Sequence, residues 1–295
     1  MKEKRFGRIV FIPGTNQGRY PASNSILIDE DVKVIIDTGS DEILLKRLRN
    51  EKGCDILINS HYHEDHITSN YLFPSARLYV HKNESACYKS LDAFLDAYGV
   101  RGTNHEQYWR DFIVTQFHYE TRTPDVEFED GNIFTFGDTR MEVIHTPGHT
   151  NGHSCFYFPD DGILFLGDLD LTHFGPWYGD RVSDIDQTIE SMHRVLTIPA
   201  EIYITSHEKG IITGDITDLA AQYLRIITMR ETALLEYLRE PRTIKEIVHA
   251  WIVYKKPRNP LWMYEFAEYG NIIKHCERLL RHGSIEYNGE VYYRI

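Results

Sequence analysis

The sequence predicts an α/β (α+β) protein in which packed β-sheets are flanked by helices, followed by a small helical module at the C-terminus. Short runs rich in β-branched residues alternate with helical segments in two successive halves of the chain, and the pattern becomes helical from about Thr217. Strands that alternate with covering helices favour sheets packed together beneath outer helices. We therefore expect a larger domain at residues 1–216 and a smaller one at residues 217–295.

The first half predicts three strands, a helix and a further strand. The strands are short β-branched runs bounded by Gly, Pro, Asn and Asp, at Arg8–Ile12, Ser25–Ile28, Val32–Ile36 and Asp55–Asn59. The helix is predicted at Glu42–Glu51, where apolar residues have helical spacing and Asp41 is a candidate N-cap. Residues 84–120 are rich in helix formers and aromatic side chains. We interpret them as a helical insertion that forms either a cap over a substrate or the surface of a homodimer.

The second half predicts another set of strands and one helix. The strands are expected at Ile133–Phe136, Met141–His145, Ser154–Phe158, Ile163–Leu166 and Glu201–Thr205, and the helix near Asp184–Leu196. A loop rich in Gly, Pro and aromatic residues, at residues 171–180, separates the fourth of these strands from the helix. Loops of this kind beside a strand end often shape a substrate pocket.

The C-terminal module predicts helices followed by a hairpin. An amphipathic helix runs from about Thr217 to Glu240, where Pro241 ends it. Thr243 and Glu246 have the spacing of a capping box, and a further helix is expected at Trp262–Arg281. Asn288-Gly289 is a two-residue hairpin signal near the end of the chain. Helices followed by a terminal hairpin indicate a winged-helix-like domain.

The charge and composition disfavour several classes of partner. The net charge is −12, and it lies outside residues 218–295, which carry 12 Lys and Arg against 10 Asp and Glu. An acidic body repels nucleic acid, and the short basic patch at Lys255, Lys256 and Arg258 is too small to reverse that. No apolar run approaches the roughly 18 residues of a membrane span. The N-terminus lacks an apolar signal segment, and the four scattered cysteines favour a reduced, cytoplasmic setting.

The most informative segment is His61-Tyr62-His63-Glu64-Asp65-His66, which directly follows a predicted strand. It places four candidate metal ligands within six residues. His61 and His63 share one side of an extended backbone because side chains alternate with a period of two. Asp65 and His66 turn into the next segment and can face a second ion.

Three further candidate ligands stand where a predicted strand gives way to a loop. They are His149 after Pro147-Gly148, Asp168 after Gly167, and His207 after Ser206. Asp170 is a rival to Asp168, but it lies beyond the Gly-Asp turn. Zinc favours imidazole and carboxylate ligands, and this set also accepts iron or manganese. The predicted assignment has two ions bridged by Asp168. His61, His63 and His149 hold one ion, and Asp65, His66 and His207 hold the other.

This HxHxDH run, with a later His, Asp and His, resembles the metallo-β-lactamase superfamily, specifically its glyoxalase II-like hydrolases. The resemblance covers roughly residues 6–215 and implies a four-layer αββα sandwich with the metals at one edge between the sheets. It also matches Asp37 to the first motif of the superfamily, which implies that this carboxylate orients a ligand. The best-known β-lactamases carry a cysteine at the position of Asp168, so hydrolysis of antibiotics is disfavoured. Only 19 positions separate His149 from Asp168, which leaves no room for the large domain of the β-CASP nucleases.

The leading functional hypothesis is a metal-dependent hydrolase that acts on an ester, thioester or lactone carbonyl. Two divalent ions lower the pKa of a shared water, and Asp65 or Asp168 can accept its proton. The aromatic segments predict a small-molecule substrate with an apolar group, and a thiolate or ring alkoxide leaves with little acid assistance. Tyr178, in the loop at residues 171–180, is a candidate donor to the developing oxyanion.

Two alternative functions stay open. Mitochondrial lactamase-like endoribonucleases look similar, since they pair this core with a C-terminal winged helix. Persulfide dioxygenases of the superfamily retain a similar HxHxDH run and bind a single non-haem iron. Metal content and the class of substrate distinguish these alternatives from a hydrolase with two ions.

Overall fold

Two large β-sheets form the centre of the protein, whose computed structural model describes residues 2–295. In spatial order, the strands of the first sheet are β1 (Lys4–Phe6), β2 (Ile9–Ile12), β3 (Ser25–Asp29), β4 (Lys33–Ile36), β5 (Ile56–Ile58), β6 (Arg77–His81) and β7 (Val126–Phe128). Those of the second sheet are β13 (Ile211–Thr213), β12 (Ile202–Thr205), β11 (Ile163–Gly167), β10 (Ser154–Phe158), β9 (Thr139–His145) and β8 (Ile133–Phe136). Strands β1 to β4 pair antiparallel and β4 to β7 pair parallel. In the second sheet only β11 and β12 pair parallel.

The central strands of the first sheet, β2 to β6, are buried on both faces. In β2, Ile9 and Phe11 lie in the core between the sheets, whereas Val10 and Ile12 lie in the core beneath the outer helices. Phe156 of the second sheet belongs to the same inner core as Phe11. This two-sided burial explains why the strands are continuous apolar runs, because neither face is left to polar residues.

Helices cover both outer faces of the two sheets. The helices of the first 237 residues are α1 (Glu42–Lys52), α2 (Glu64–Ile67), α3 (Ser85–Lys89), α4 (Leu91–Tyr98), α5 (Glu106–Gln116), α6 (Ile185–Val195) and α7 (Thr217–Tyr237). Short 3-10 helices occupy Thr15–Gly18, Asn70–Leu72 and Lys82–Glu84. Leu45 of α1 and Phe94 of α4 pack on the first sheet, while Met192 of α6 and Tyr223 of α7 pack on the second. The predicted four-layer αββα architecture is confirmed.

The predicted insertion at residues 84–120 is helical and contains α3, α4 and α5. Its aromatic side chains are mostly turned inward, and Phe94, Trp109 and Phe117 are buried in the core of the first sheet. The insertion is therefore part of the main body of the protein.

The C-terminal segment has the predicted order of helices and a hairpin. After α7 come α8 (Ile244–His249), α9 (Leu261–Arg281), β14 (Ile285–Tyr287) and β15 (Tyr292–Arg294). The capping box between Thr243 and Glu246 is present. Helix α7 contributes to two cores, with Tyr223 in that of the second sheet and Leu234 in that of the C-terminal segment. None of the helices within residues 2–295 combines the length and apolar character that crossing a membrane requires.

Candidate metal centre

Five histidines and two aspartates meet at one edge of the sandwich. All seven follow the end of a strand or lie at the start of α2, so the two sheets bring their loops together at this edge. Their ligand atoms form two groups, each with its atoms within 4.8 Å of one another: His61, His63, His149 and Asp168; Asp65, His66 and His207. The seven residues that the sequence singled out therefore converge.

Two of the imidazoles donate from their outer nitrogen to a backbone carbonyl. The Nδ1–H of His149 donates to the carbonyl oxygen of Trp177 at 2.9 Å, and that of His207 donates to the carbonyl oxygen of Gly18 at 2.6 Å. A carbonyl oxygen only accepts, which assigns the proton to Nδ1 in both rings. The Nε2 atom of each ring is therefore the one directed at the group.

Two further imidazoles donate to buried carboxylates. The Nε2–H of His63 donates to Asp180 at 2.8 Å, and the Nδ1–H of His66 donates to Asp37 at 2.8 Å. Both carboxylates are fully buried. Such carboxylate partners fix the tautomer of a histidine and raise the basicity of its other nitrogen. Asp37 thus has the orienting contact that the resemblance implied.

The fifth imidazole, His61, donates to a hydroxyl, and its inner nitrogen faces those of its neighbours. Ser60 Oγ donates to Asp37, so it accepts from His61 Nδ1 at 3.0 Å. The Nε2 of His149 lies 3.2 Å from His61 Nε2 and 2.9 Å from His63 Nδ1. Three lone pairs that face each other at these distances repel, and a shared cation is the arrangement that removes the repulsion.

Two buried atoms of the cluster have no hydrogen-bond partner within residues 2–295. They are His66 Nε2 and Asp168 Oδ1, which lie 3.0 Å apart. Buried polar atoms are nearly always paired, so an unpaired nitrogen beside an unpaired carboxylate oxygen fits a metal ion. The other oxygen of Asp168 lies 3.3 Å from His149 Nε2 and 3.2 Å from His207 Nε2. Asp168 therefore reaches both groups.

Burial and charge set the protonation of the cluster. Burial lowers the pKa of both His63 and His149 to about 4, so these rings are neutral at physiological pH and available as ligands. Burial also disfavours the charged form of His207, but the Asp168 carboxylate outweighs that and raises its pKa to about 10. A bound cation competes directly with that proton.

Two site residues escaped the sequence analysis. Asp180 is fully buried and accepts hydrogen bonds from Tyr62 and His63. His153 Nε2 accepts from the backbone N–H of Asp168 at 3.0 Å, which fixes the turn that carries the bridging candidate. Asp180 has no regular spacing from the predicted ligands, whereas His153 lies four residues after His149. The ring of His153 packs against Gly167, which has a φ of 56° and no room for a Cβ beside that ring. A glycine directly before Asp168 is the signal that the sequence offers for this contact.

The structure does not bring Tyr178 to the cluster. Its side chain is fully buried, and its hydroxyl is bonded to Arg230 at 2.8 Å and to His275 at 2.8 Å, both in the C-terminal helices. The hydroxyl therefore faces away from the metal ligands, and we do not retain Tyr178 as an oxyanion donor. Asp170 lines the cleft beside the cluster, but it is not one of the grouped ligand atoms.

A cleft of about 500 Å³ opens above the cluster. Its walls come from the insertion, the loop at residues 171–180 and the C-terminal segment, together with Asn16, Arg19, Tyr20 and Glu208. The aromatic and apolar lining side chains are Tyr20, Tyr98, Trp109, Phe174, Trp177, Tyr254, Met263, Tyr264, Phe266 and Ala267. Of the two predicted roles for the insertion, its position at the cleft favours the cap, and the C-terminal segment lines the cleft beside it, with Phe266 packed against Trp109.

Residues 19–207 match the family model of the metallo-beta-lactamase superfamily, and the chain belongs to this superfamily. The predicted resemblance is thereby confirmed. Hydroxyacylglutathione hydrolase of Synechococcus sp. is 31% identical over 116 residues, which cover 36% of this chain and 45% of that protein. Acyl-coenzyme A thioesterase MBLAC2 of Bos taurus is 30% identical over 183 residues, which cover 54% of this chain and 62% of that protein. The chain thus spans less than two thirds of the length of either relative.

The fold of the whole chain, including its C-terminal segment, also occurs in solved structures. A metallo-beta-lactamase family protein from Thermus thermophilus is 22% identical with a TM-score of 0.75, and the match covers 98% of this chain and 99% of that one. A beta-lactamase domain protein from Burkholderia ambifaria is 17% identical with a TM-score of 0.73, and the match covers 99% of this chain and 93% of that one. At these identities the likeness establishes the fold.

Proposed function

We propose that this protein is a metal-dependent hydrolase that uses two divalent ions to cleave a thioester, ester or lactone carbonyl. One observation carries the proposal: five imidazoles, each with its outer nitrogen hydrogen-bonded, turn the other nitrogen towards two carboxylates on the floor of an apolar cleft. This donor set suits zinc, and it also accepts iron or manganese.

The proposed ligands follow the two groups of donor atoms. The first ion is assigned to His61, His63 and His149, and the second to Asp65, His66 and His207. Asp168 is assigned as the bridge, because its two oxygens lie within 3.3 Å of ring nitrogens from both groups. Two groups of ligands support two ions over the single iron of a dioxygenase.

The residues around the ions position the reactants and accept the proton. When bound, two divalent ions lower the pKa of a coordinated water from 15.7 towards about 7 and so supply a hydroxide at neutral pH. Asp65 and Asp168 are the carboxylates at the cluster, and either can receive the proton that the nucleophile releases. The hydrogen bonds that His61, His63 and His66 donate to Ser60, Asp180 and Asp37 hold these imidazoles in their orientation.

The cleft supports a small substrate with an apolar acyl group. Trp109, Met263 and Phe266 give the cleft apolar walls, which can exclude water from the carbonyl and bind a hydrocarbon group. A thiolate leaves with little acid assistance, so a thioester can be cleaved here without a strong acid at the leaving group. One relative is named a thioesterase, which further supports a thioester as the first substrate to test.

Metal content measured together with a substrate panel tests the proposal. We expect two zinc ions per chain and turnover of thioesters or lactones, with no turnover of phosphodiesters or persulfides. His63→Ala and Asp168→Ala should lower kcat/KM at least about a hundredfold. The control His173→Ala, at an exposed position of the loop at residues 171–180, should retain activity. Wild-type rates on a carbonyl substrate in both ligand variants would refute the proposal. One iron per chain with oxygen consumption would favour the dioxygenase, and salt-sensitive RNA cleavage would favour the endoribonuclease.

A further inference from the structure

The loop at residues 171–180 holds two imidazoles of the first ligand group. Its Trp177 carbonyl accepts from His149 Nδ1 at 2.9 Å, and its Asp180 carboxylate accepts from His63 Nε2 at 2.8 Å. Neither imidazole of the second group is bonded to this loop, since the outer nitrogens of His66 and His207 donate to Asp37 and to the carbonyl oxygen of Gly18. A shift of the loop would therefore disturb one ligand group and spare the other.

A buried arginine of the C-terminal segment fixes this loop. Arg230 of α7 is 1% exposed. Its guanidinium donates to the carbonyl oxygens of Phe174 and Pro176, each at 2.7 Å, and to the hydroxyl of Tyr178 at 2.8 Å. It also lies over the ring of Phe174, 4.7 Å from the ring centroid. Within residues 2–295, no carboxylate oxygen lies within 4.0 Å of its nitrogens.

Burying the guanidinium of Arg230 costs free energy unless the loop keeps the conformation that provides its hydrogen-bond acceptors. A buried guanidinium needs hydrogen bonds to offset the loss of water, and the oxygens that bond Arg230 belong to alternate residues of one loop. A different loop conformation would leave the buried guanidinium without these hydrogen-bond acceptors. The rigid, forked geometry of arginine thereby selects one conformation of residues 174–178.

Helix α9 closes on the same loop from the other side. A Cβ on Gly270 would lie 2.1 Å from the carbonyl oxygen of Gly179, so the two backbones are in direct contact. Asn271 accepts from the backbone N–H of Tyr178 at 3.4 Å, and His275 is bonded to its hydroxyl. The loop is thus clamped between α7 and α9 immediately before Asp180.

We propose that Arg230 is a positioning residue of the metal centre: through the loop at residues 174–180 it sets the orientation of His63 and His149, and hence the metal affinity of the first ligand group alone. The C-terminal helices then form part of the metal site. This inference rests on the proposed assignment of the ligands.

Zinc titration of single-site variants tests the proposal. Arg230→Met removes the guanidinium and keeps an unbranched apolar side chain, and Arg225→Met is the matched control, because Arg225 is exposed on the same helix. Each substitution is made in two backgrounds: His207→Ala, which leaves the first ligand group intact, and His149→Ala, which leaves the second. Zinc affinity is measured by competition with a chromophoric chelator at constant pH.

We expect Arg230→Met to weaken zinc binding by about 10- to 100-fold in the His207→Ala background, as the loss of a partner that orients a ligand does. In the His149→Ala background it should change the affinity less than about twofold, and Arg225→Met should have no effect in either. Equal weakening in both backgrounds, or no weakening in the first, would overturn the role of Arg230.

Tyr178→Phe keeps the proposal testable if Arg230→Met does not fold. It removes one of the three acceptors of Arg230 and keeps the ring, and it should weaken zinc binding by the first group about two- to tenfold. An unchanged affinity would contradict the proposal. Failure of the ligand assignment has a different result: the His207→Ala and His149→Ala backgrounds would each still bind two zinc ions, or the unsubstituted protein would bind none. Either result refutes the assignment, and with it the inference.

Discussion

Replacing Asp180 by asparagine should weaken metal binding and at the same time stabilise the metal-free protein at high pH. The carboxylate of Asp180 accepts the hydrogen bond from His63 Nε2 at 2.8 Å and another from the Tyr62 hydroxyl. Asparagine keeps an acceptor oxygen but loses the charge that makes the other nitrogen of His63 basic. We expect a 10- to 100-fold loss of zinc affinity, which is about 1.4–2.8 kcal/mol.

The effect on the metal-free protein has the opposite sign. Burial raises the pKa of Asp180 from 3.8 to about 7, so the folded state holds a proton that the unfolded state has lost. Stability from this group is complete below about pH 4 and declines as the pH rises through about 7. At 1.36 kcal/mol per pKa unit, the cost of ionising Asp180 in the folded protein is at most about 4 kcal/mol, and asparagine removes it.

Zinc competition and urea unfolding of the metal-free protein measure the two effects. Asp160→Asn, at an exposed aspartate, is the control and should change neither quantity. If Asp180→Asn lowered the stability of the metal-free protein above pH 7 and left zinc affinity unchanged, Asp180 would be a structural residue, and its assigned role would be wrong.

Three further predictions concern other parts of the molecule. Burial raises the pKa of Glu84 from 4.5 to about 8, so the stability that this group contributes should decline between about pH 4.5 and 8. Urea unfolding should show that Glu84→Gln stabilises the protein increasingly across this pH range. A stabilisation that does not depend on pH would contradict the shift. Phe266→Ala removes part of the apolar wall and should raise KM about tenfold for long acyl substrates but hardly for acetyl substrates; equal losses across a chain-length series would exclude an acyl wall. Removing metal with a chelator should lower the thermal unfolding midpoint. Adding zinc at a hundred times its Kd should then raise the free energy of unfolding by about 2.7 kcal/mol per site. A midpoint that the chelator leaves unchanged would mean that no ion stabilises the fold.

The local chemistry of the site was readable in the sequence. The ligands His61, His63, Asp65 and His66 lie within six residues, and the strand before them fixes which side chains share a face. The apolar runs of the strands and the capping box of α8 also have local causes, so the elements and the αββα architecture could be predicted.

Several site residues depend on contacts between distant segments. Asp180 is 117 residues from His63, and no spacing connects them. Tyr178 was predicted to lie at the site and does not. It follows Asp168 by ten residues, but its buried hydroxyl is turned away from the cluster because its hydrogen-bond partners are Arg230 and His275. A buried hydroxyl needs hydrogen-bond partners, and here the packing of α7 and α9 determines where those partners lie.

The sequence by itself determined the ligand types, the strands that carry them and the class of fold, because these follow from residue chemistry and from periodicity along the chain. Only the tertiary structure decided which nitrogen of each imidazole faces inward, which carboxylates orient the rings, and that the C-terminal helices hold the loop beside the first ligand group. The physical reason is that hydrogen bonding and burial of these groups depend on side chains brought together from remote parts of the chain.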